Sequence, residues 1–237
     1  MSESPGYYEH LSFNAPLSDS RANAMVARLA AAGPTSIVDV GCGWGELILR
    51  LAAVLPEADL RGVDTDARLL DRGRANALQR GLVVRFDNLP ADQLTGSADL
   101  VICIGSSHAL GATIPEALAA LWPLVAPGGR LLYGEGTWEE VGPIDHSLVW
   151  DDLPELPSVA GLVDLAVSAG FRPVWTEVAS QDELFAFESG FLADIEEWLV
   201  QHDDPALRAK NDDHRNRWLH GYRNGFGFAF LMLGKAV

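Results

Sequence analysis

One stretch, residues 36–46, constrains the fold of this chain more than any other, and it has the sequence S-I-V-D-V-G-C-G-W-G-E. An apolar, β-branched run from Ile37 to Val40 ends in three alternating glycines, and a helical pattern begins near Glu46. This order predicts a buried strand, a tight turn and the start of a helix. Glycine has no Cβ atom, so the turn can adopt unusual backbone angles and let a ligand approach closely. The first N–H groups of the helix are expected to face that ligand.

The spacing of the glycines separates two kinds of nucleotide site. The dinucleotide fingerprint is G-x-G-x-x-G, whereas this chain has G-x-G-x-G followed by Glu46. Asp39 also lies inside the predicted strand, two residues before the first glycine. A carboxylate there attracts an ammonium group and repels a pyrophosphate. The pattern therefore disfavours a nicotinamide-dependent oxidoreductase, while a glycine-rich turn that binds nothing stays as a further alternative.

Polar residues end the next two predicted strands. The second strand is predicted over Leu60–Val63, and Asp64 follows it directly. An acidic residue at this position can accept hydrogen bonds from both ribose hydroxyls of an adenosine group. The third strand is predicted over Val83–Phe86, and the pair Asp87–Asn88 comes next. That pair either contacts the ligand or only forms a turn.

A fourth strand is predicted over Ala98–Gly105, because the run is apolar on both faces, as in a central parallel strand. Ligands of open α/β sheets bind outside the carboxyl ends of the strands, at the point where the strand order reverses. The first and fourth strands are expected to flank that point. Ile104 and Ser106 are therefore expected near the ligand, and His108 either has a functional role or caps the next helix.

The second half of the chain predicts three more strands and a long helical segment. The strands are expected over Arg130–Gly134, Phe171–Val178 and Phe226–Leu233. The interval 179–225 is far longer than a hairpin loop and its apolar residues recur at helical spacing, so a helical insertion is expected there. The predicted apolar face of its first helix comprises Leu184, Phe187, Phe191, Ile195 and Trp198.

Together these features resemble the class I S-adenosylmethionine-dependent methyltransferases. Asp39 to Gly45 is similar to their motif I, (D/E)-x-G-x-G-x-G, and Asp64, Asp87 and a Pro-Gly-Gly turn at 127–129 follow in the family's order. The resemblance implies an α/β three-layer sandwich. Its sheet has seven mostly parallel strands with an antiparallel last strand, plus the helical insertion between strands six and seven. A single domain over residues 1–237 is expected, with an N-terminal arm and helix (1–33), a core (34–178), the insertion (179–225) and the last strand (226–237).

The resemblance also implies the cofactor S-adenosylmethionine and the residues that bind it. Asp39 and the glycine loop are expected to hold the methionine end, and Asp64 is expected to bind the ribose. Asp87 or Asn88 is expected to contact the adenine amino group. The full set of expected cofactor residues is Asp39, Gly41, Gly43, Gly45, Asp64, Asp87, Asn88, Ile104 and Ser106.

Methyl transfer to a small organic acceptor is implied, with an oxygen, nitrogen, sulfur or carbon nucleophile. Glu135 directly follows the predicted fifth strand and is the first candidate for an orienting or proton-accepting catalytic group; His108 is the second. The first 18 residues are expected to form either a mobile arm or a lid. The alternative function is a non-catalytic module that binds S-adenosylmethionine. Substrate contacts are expected from Tyr7, Tyr8, Phe13, Trp138 and His146.

Composition and charge indicate which binding partners and which cellular compartment to expect. The chain has 237 residues, of which 48% are hydrophobic, enough for a sizeable core. Its formal net charge of −16 weighs against nucleic acid or an anionic membrane, because phosphate binders need a basic face. The N-terminal sequence is not a secretory signal, and no apolar run is long enough to span a membrane. The two cysteines show no metal-like spacing, so a cytoplasmic protein without a metal is expected.

Overall fold

The computed structural model describes residues 4–237 and contains a seven-stranded sheet. The order across the sheet is β3-β2-β1-β4-β5-β7-β6, which agrees with the predicted fold class. The strands are β1 (Ser36–Val40), β2 (Asp59–Asp64), β3 (Arg85–Asn88), β4 (Ala98–Ile104), β5 (Val125–Trp138), β6 (Arg172–Val178) and β7 (Phe226–Gly234).

The first five strands of the sheet are parallel. β1 pairs with β2 on one side and with β4 on the other, so Asp39 stands opposite Gly62 and Ile102. β2 pairs with β3, and β4 pairs with β5. The strand order therefore reverses between β1 and β4, as predicted, and the glycine loop leaves the sheet at that reversal.

The last strand runs antiparallel to its neighbours, which confirms the prediction. The backbone N–H of Gly128 donates to the carbonyl of Lys235 at 3.0 Å, so the start of β5 lies beside the end of β7. The N–H of Ala179 donates to the carbonyl of Phe228 at 2.8 Å, so the end of β6 lies beside the start of β7. A strand whose start lies beside a neighbour's end runs opposite to that neighbour.

Helices connect the strands, and the predicted insertion between β6 and β7 is helical. None of the helices of residues 4–237 is long and apolar enough to cross a membrane. The α-helices are α1 (Asp19–Ala30), α2 (Glu46–Val54), α3 (Ala67–Arg80), α4 (Ile114–Leu121), α5 (Val159–Ser168), α6 (Gln181–Leu199) and α7 (Pro205–Asn216), and a π-helix covers Arg217–Gly221.

The chain divides into two compact units. The sheet unit comprises Ser18–Glu135, Ala160–Glu177 and Ala229–Val237. The helical unit comprises the described part of Met1–Leu17 together with Gly136–Val159 and Val178–Phe228. The single-domain organisation expected from the resemblance stays a prediction.

Two predicted strand boundaries are wrong. β3 begins at Arg85 and contains Asp87 and Asn88, because only Arg85–Asn88 stands opposite β2 in the pairing register. β5 is also longer than predicted. Ala98 pairs with Val125 and Leu100 with Arg130, so the Pro-Gly-Gly segment is a bulge inside the strand and not a turn before it. Glu135 accordingly lies within β5, and Trp138 is its last residue.

The predicted apolar face of α6 is also wrong in detail. Of its five residues, Leu184 is buried and the other four are partly buried. The buried positions of α6 include three carboxylates, and hydrogen bonds within the helical unit explain why these are tolerated. The buried residues of α6 are Glu183, Leu184, Glu188, Gly190, Leu192 and Asp194.

Candidate active site

Three left-handed glycines shape the loop between β1 and α2. Gly41, Gly43 and Gly45 have φ angles of 69°, 56° and 68°, and only glycine adopts these values without strain. A Cβ atom added to Gly41 would lie 2.2 Å from the hydroxyl oxygen of Ser106. At Gly45 it would lie 2.5 Å from the ring of Phe86. The loop therefore depends on glycine both for its backbone angles and for its close packing.

Asp39 is a buried carboxyl group beside this loop. Its side chain retains 6% exposure within β1. Burial, with a smaller contribution from the negative charge of Asp64, raises the pKa of Asp39 to about 7. A carboxyl group in this state is poised to ionise when a cation binds next to it.

Asp64 is held by the backbone on both sides. One carboxylate oxygen accepts the N–H of Gly43 at 2.8 Å, and the other accepts the N–H of Asp66 at 2.8 Å. The side-chain amide of Asn88 donates to the carbonyl of Asp64 at 3.1 Å. Each carboxylate oxygen has two lone pairs, so Asp64 keeps capacity to accept further hydrogen bonds. The hydrogen bonds of Asp64 thus link the glycine loop, the end of β2 and the end of β3.

The Asp87 carboxylate has a hydrogen-bond partner outside the glycine loop. Nε of Arg61 donates to its carboxylate at 2.6 Å, and Arg85 lies 3.9 Å away. In the register of β2 and β3, Asp87 stands opposite Val63, whereas Asn88 stands opposite Asp64. Since side chains alternate along a strand, Asn88 and not Asp87 shares the side of Asp64. The contact of either residue with adenine stays a prediction.

The residue Ser106, which follows the end of β4, lies against the glycine loop. The hydroxyl of Ser106 is placed to donate to the carbonyl of Gly41 at 3.3 Å or of Ile104 at 3.1 Å. Ser106 is buried, and its predicted contact with the cofactor stays a prediction. His108, in a short 3₁₀ turn after it, is exposed. The structure thus brings Ser106, and not His108, into the loop.

Glu135 has a partner that the sequence did not reveal. The hydroxyl of Tyr133, a fully buried residue of β5, donates to the Glu135 carboxylate at 3.0 Å. Burial, followed by the charge of Glu135, raises the pKa of the Tyr133 phenol. Ser107 also hydrogen-bonds Tyr133. A phenol buried in an apolar strand needs hydrogen-bond partners. The G-E-G sequence after Tyr133 was the available sequence signal for such a partner, because it contains Glu135.

The predicted aromatic residues of the N-terminal arm lie in the helical unit, whereas residues 1–3 of the arm lie outside the described residues. The ring of Tyr8 lies 4.5 Å from that of Tyr7 and 5.8 Å from that of Phe191 on α6. Phe13 is buried, and Tyr7 is 39% exposed. The arm is thus anchored to α6 by aromatic packing, and its role as a lid stays a prediction.

Trp138 and His146, the other predicted substrate residues, have different surroundings in the helical unit. Trp138 packs against a hydrophobic cluster that includes Val149 and Trp218. His146 is exposed and lies 3.7 Å from the carboxylate of Glu140. Trp138 is therefore a partly buried residue packed against the core of the unit, and a role in substrate binding for either residue stays a prediction.

Comparison with known proteins supports the resemblance. Residues 38–131 match a family model described as a methyltransferase domain. The trans-aconitate 2-methyltransferase of Deinococcus radiodurans is 36% identical over 95 residues, which cover 40% of this chain and 35% of that protein. The enzyme of the same name from Methylobacterium radiotolerans is 28% identical over 221 residues, 87% of this chain and 83% of that protein.

The fold matches a solved methyltransferase structure. The S-adenosylmethionine-dependent methyltransferase of Geobacter sulfurreducens, in complex with S-adenosylhomocysteine, superimposes with a TM-score of 0.80. The match covers 93% of this chain and 92% of that one at 21% identity. The chain spans less than half the length of the first curated relatives that it matches, 35% and 46%. The chain has the fold of the class I S-adenosylmethionine-dependent methyltransferases, and its residues 38–131 match the model of a methyltransferase domain.

Proposed function

We propose that this protein transfers a methyl group from S-adenosylmethionine to a small organic acceptor. One observation supports this most. The buried carboxyl group of Asp39 and the carboxylate of Asp64, which accepts a backbone N–H, flank the glycine loop at the point where the strand order reverses. The three glycines of that loop have left-handed backbone angles. This donor set fits a ligand with an ammonium group at one end and a ribose next to it. It fits a pyrophosphate poorly, because the carboxyl group of Asp39 beside the glycine loop would repel it when ionised.

The glycine loop fits such a cofactor sterically as well. A Cβ atom on Gly43 would meet only Leu69, at 3.9 Å, so the backbone there is open to a ligand. Asp39 and the loop N–H groups are proposed to hold the methionine end, and Asp64 the ribose. When bound, S-adenosylmethionine supplies an electrophilic methyl group. The protein's residues then contribute mainly by fixing the positions of the reacting groups and excluding water.

The acceptor is proposed to be a small molecule, and the named curated relatives support this, since two are trans-aconitate 2-methyltransferases. The net charge of −16 argues against a nucleic-acid acceptor. Glu135 is proposed to orient the acceptor or accept its proton, because the hydroxyl of Tyr133 fixes its carboxylate within the last residues of β5, before Trp138. His108 is the second candidate. An acceptor screen with labelled S-adenosylmethionine, read by mass spectrometry, tests this proposal and identifies the methylated atom.

Asp64→Ala is expected to weaken binding of S-adenosylhomocysteine about ten- to a hundredfold. The variant removes hydrogen bonds to a charged group, worth roughly 1.5–3 kcal/mol, and each 1.4 kcal/mol is about tenfold in affinity. Isothermal titration calorimetry measures the change. Asp71→Ala is the matched control, because Asp71 is exposed and pairs with Arg74 on α3. Unchanged affinity in Asp64→Ala would remove Asp64 from the cofactor site.

A further inference from the structure

A cavity of about 170 Å³ lies at the amino ends of the strands in the sheet unit. It is lined by residues near the starts of β1, β2 and β3 and by the loop 94–97, which precedes β4. The glycine loop follows the other, carboxyl end of β1, so this cavity is separate from the proposed cofactor site. The polar side chains that line the cavity are Ser36, Asp59, Arg61, Arg85, Thr95 and Ser97.

Two arginines stand side by side in this cavity. Arg61 of β2 and Arg85 of β3 are directly opposite each other in the pairing register. Neighbouring strands are about 4.8 Å apart, so two guanidinium charges at these positions repel each other unless an anion lies between them. An arrangement that costs stability in this way is typical of a functional site, and a site for an anion gives this pair a physical reason.

One carboxylate holds the two arginines together but leaves most of their N–H groups unused. Nε of Arg61 donates to Oδ2 of Asp87 at 2.6 Å, and Nε of Arg85 lies 3.9 Å from the same oxygen. Nη2 of Arg85 lies 3.4 Å from the carboxylate of Asp59, which is a long and weak contact. Within residues 4–237, Nη1 and Nη2 of Arg61 and Nη1 of Arg85 have no hydrogen-bond partner.

The loop 94–97 has further unused donors. Among the described residues, the backbone N–H groups of Thr95, Gly96 and Ser97 donate to no acceptor. Gly96 has a left-handed backbone, with φ of 86°. Successive N–H groups in a turn with such a residue form a concave surface that binds anions. The two arginines and this loop line the same cavity, so donors are available from the strands and from the loop.

We propose that this cavity binds inorganic phosphate through Arg61, Arg85 and the loop 94–97. The planar guanidinium group matches the geometry of phosphate oxygens and donates two hydrogen bonds at once. Among the lining side chains two are cations and one, Asp59, is an anion, so the cavity favours a negatively charged ligand. Its volume corresponds to roughly five or six water molecules at about 30 Å³ each, which suits the five heavy atoms of phosphate.

Calorimetric titration of the full-length protein with sodium phosphate at pH 8 tests this site. One-site binding with a Kd of about 1 mM or lower is expected. Arg85→Gln is expected to weaken it about tenfold or more, because the variant removes a charged donor. Arg172→Gln is the matched control, since Arg172 is an exposed arginine of β6 that does not line the cavity. Its affinity for phosphate is expected to stay within about twofold of the wild type.

Two further variants change the charge of the cavity in opposite directions. Ser97→Asp places a carboxylate on the exposed loop and is expected to weaken phosphate binding about tenfold or more. If Arg85→Gln does not fold, this variant replaces it. Asp59→Asn removes the lining carboxylate and is expected to strengthen binding about two- to fivefold.

The site is also expected to be independent of the proposed cofactor site. Saturating S-adenosylhomocysteine should leave the affinity for phosphate unchanged, because the glycine loop lies at the opposite end of β1. Competition between the two ligands would place phosphate at the glycine loop and overturn the inference. The absence of saturable phosphate binding by the wild type, or undiminished binding by Arg85→Gln or Ser97→Asp, would overturn it as well.

Discussion

Gly45→Ala is expected to lower the free energy of unfolding by about 2–5 kcal/mol. The left-handed backbone at this residue, with φ of 68°, costs a non-glycine residue about 1–2 kcal/mol. The new Cβ would also lie 2.5 Å from the Phe86 ring, and overpacking of this kind costs about 1–3 kcal/mol. Phe86 cannot move away freely, because it also packs closely against Gly62 and Gly73. Urea unfolding measures the effect.

Gly81→Ala separates the two causes in Gly45→Ala. Gly81 has nearly the same φ, 65°, but a Cβ atom there would meet nothing within 4 Å. Only the backbone cost of about 1–2 kcal/mol is expected for this control. Equal destabilisation by the two substitutions would show that the contact between Phe86 and the glycine loop contributes nothing, and the packing account would then be wrong.

Asp39→Asn is expected to make stability less dependent on pH. The pKa of Asp39 is raised to about 7 in the folded protein from 3.8, so the folded state binds more protons between these values. Stability contributed by the protonated carboxyl group is therefore lost as pH rises from about 4 to about 7. Between pH 5 and pH 8, the wild type should lose about 2–3 kcal/mol more than Asp39→Asn. Urea unfolding of both proteins at the two pH values measures this difference.

The same substitution is expected to weaken cofactor binding. At pH 8 an asparagine cannot offset an ammonium charge, so affinity for S-adenosylhomocysteine should fall about ten- to a hundredfold. In the wild type the affinity should rise as pH increases through about 7, because Asp39 ionises there. Asp39→Asn should lack that rise. A variant that is both destabilised at pH 8 and unchanged in affinity would contradict the role assigned to Asp39.

The sequence predicted the sheet and its cofactor loop well because both depend on local patterns. The apolar run of β1, the alternating glycines and the acid at the end of β2 specify strand, turn and helix by composition and spacing. The helical insertion was predicted for the same reason, since 47 residues, 179–225, exceed any hairpin loop and show helical spacing. These features need no knowledge of distant contacts.

The details that the sequence did not predict depend on contacts between distant residues. The bulge of β5 arises from its register against β4, which no local signal in the Pro-Gly-Gly segment specifies. Glu188 sits on the buried side of α6 because Tyr222 and His214, 34 and 26 residues away, satisfy its carboxylate. Hydrophobic periodicity alone places a glutamate on the exposed face of a helix. The hydrogen bond from Arg61 to the Asp87 carboxylate, 26 residues away in the chain, was likewise not predicted.

Calorimetric titration of the wild-type protein at pH 8 with S-adenosylhomocysteine, and separately with NAD⁺, tests the central claim most directly. S-adenosylhomocysteine is expected to bind at one site with a Kd below about 100 µM, equivalent to more than about 5.5 kcal/mol of binding free energy, and NAD⁺ is expected not to bind. The carboxyl group of Asp39 would attract the amino group of the first ligand and repel the pyrophosphate of the second. Binding of NAD⁺ without binding of S-adenosylhomocysteine would contradict the account.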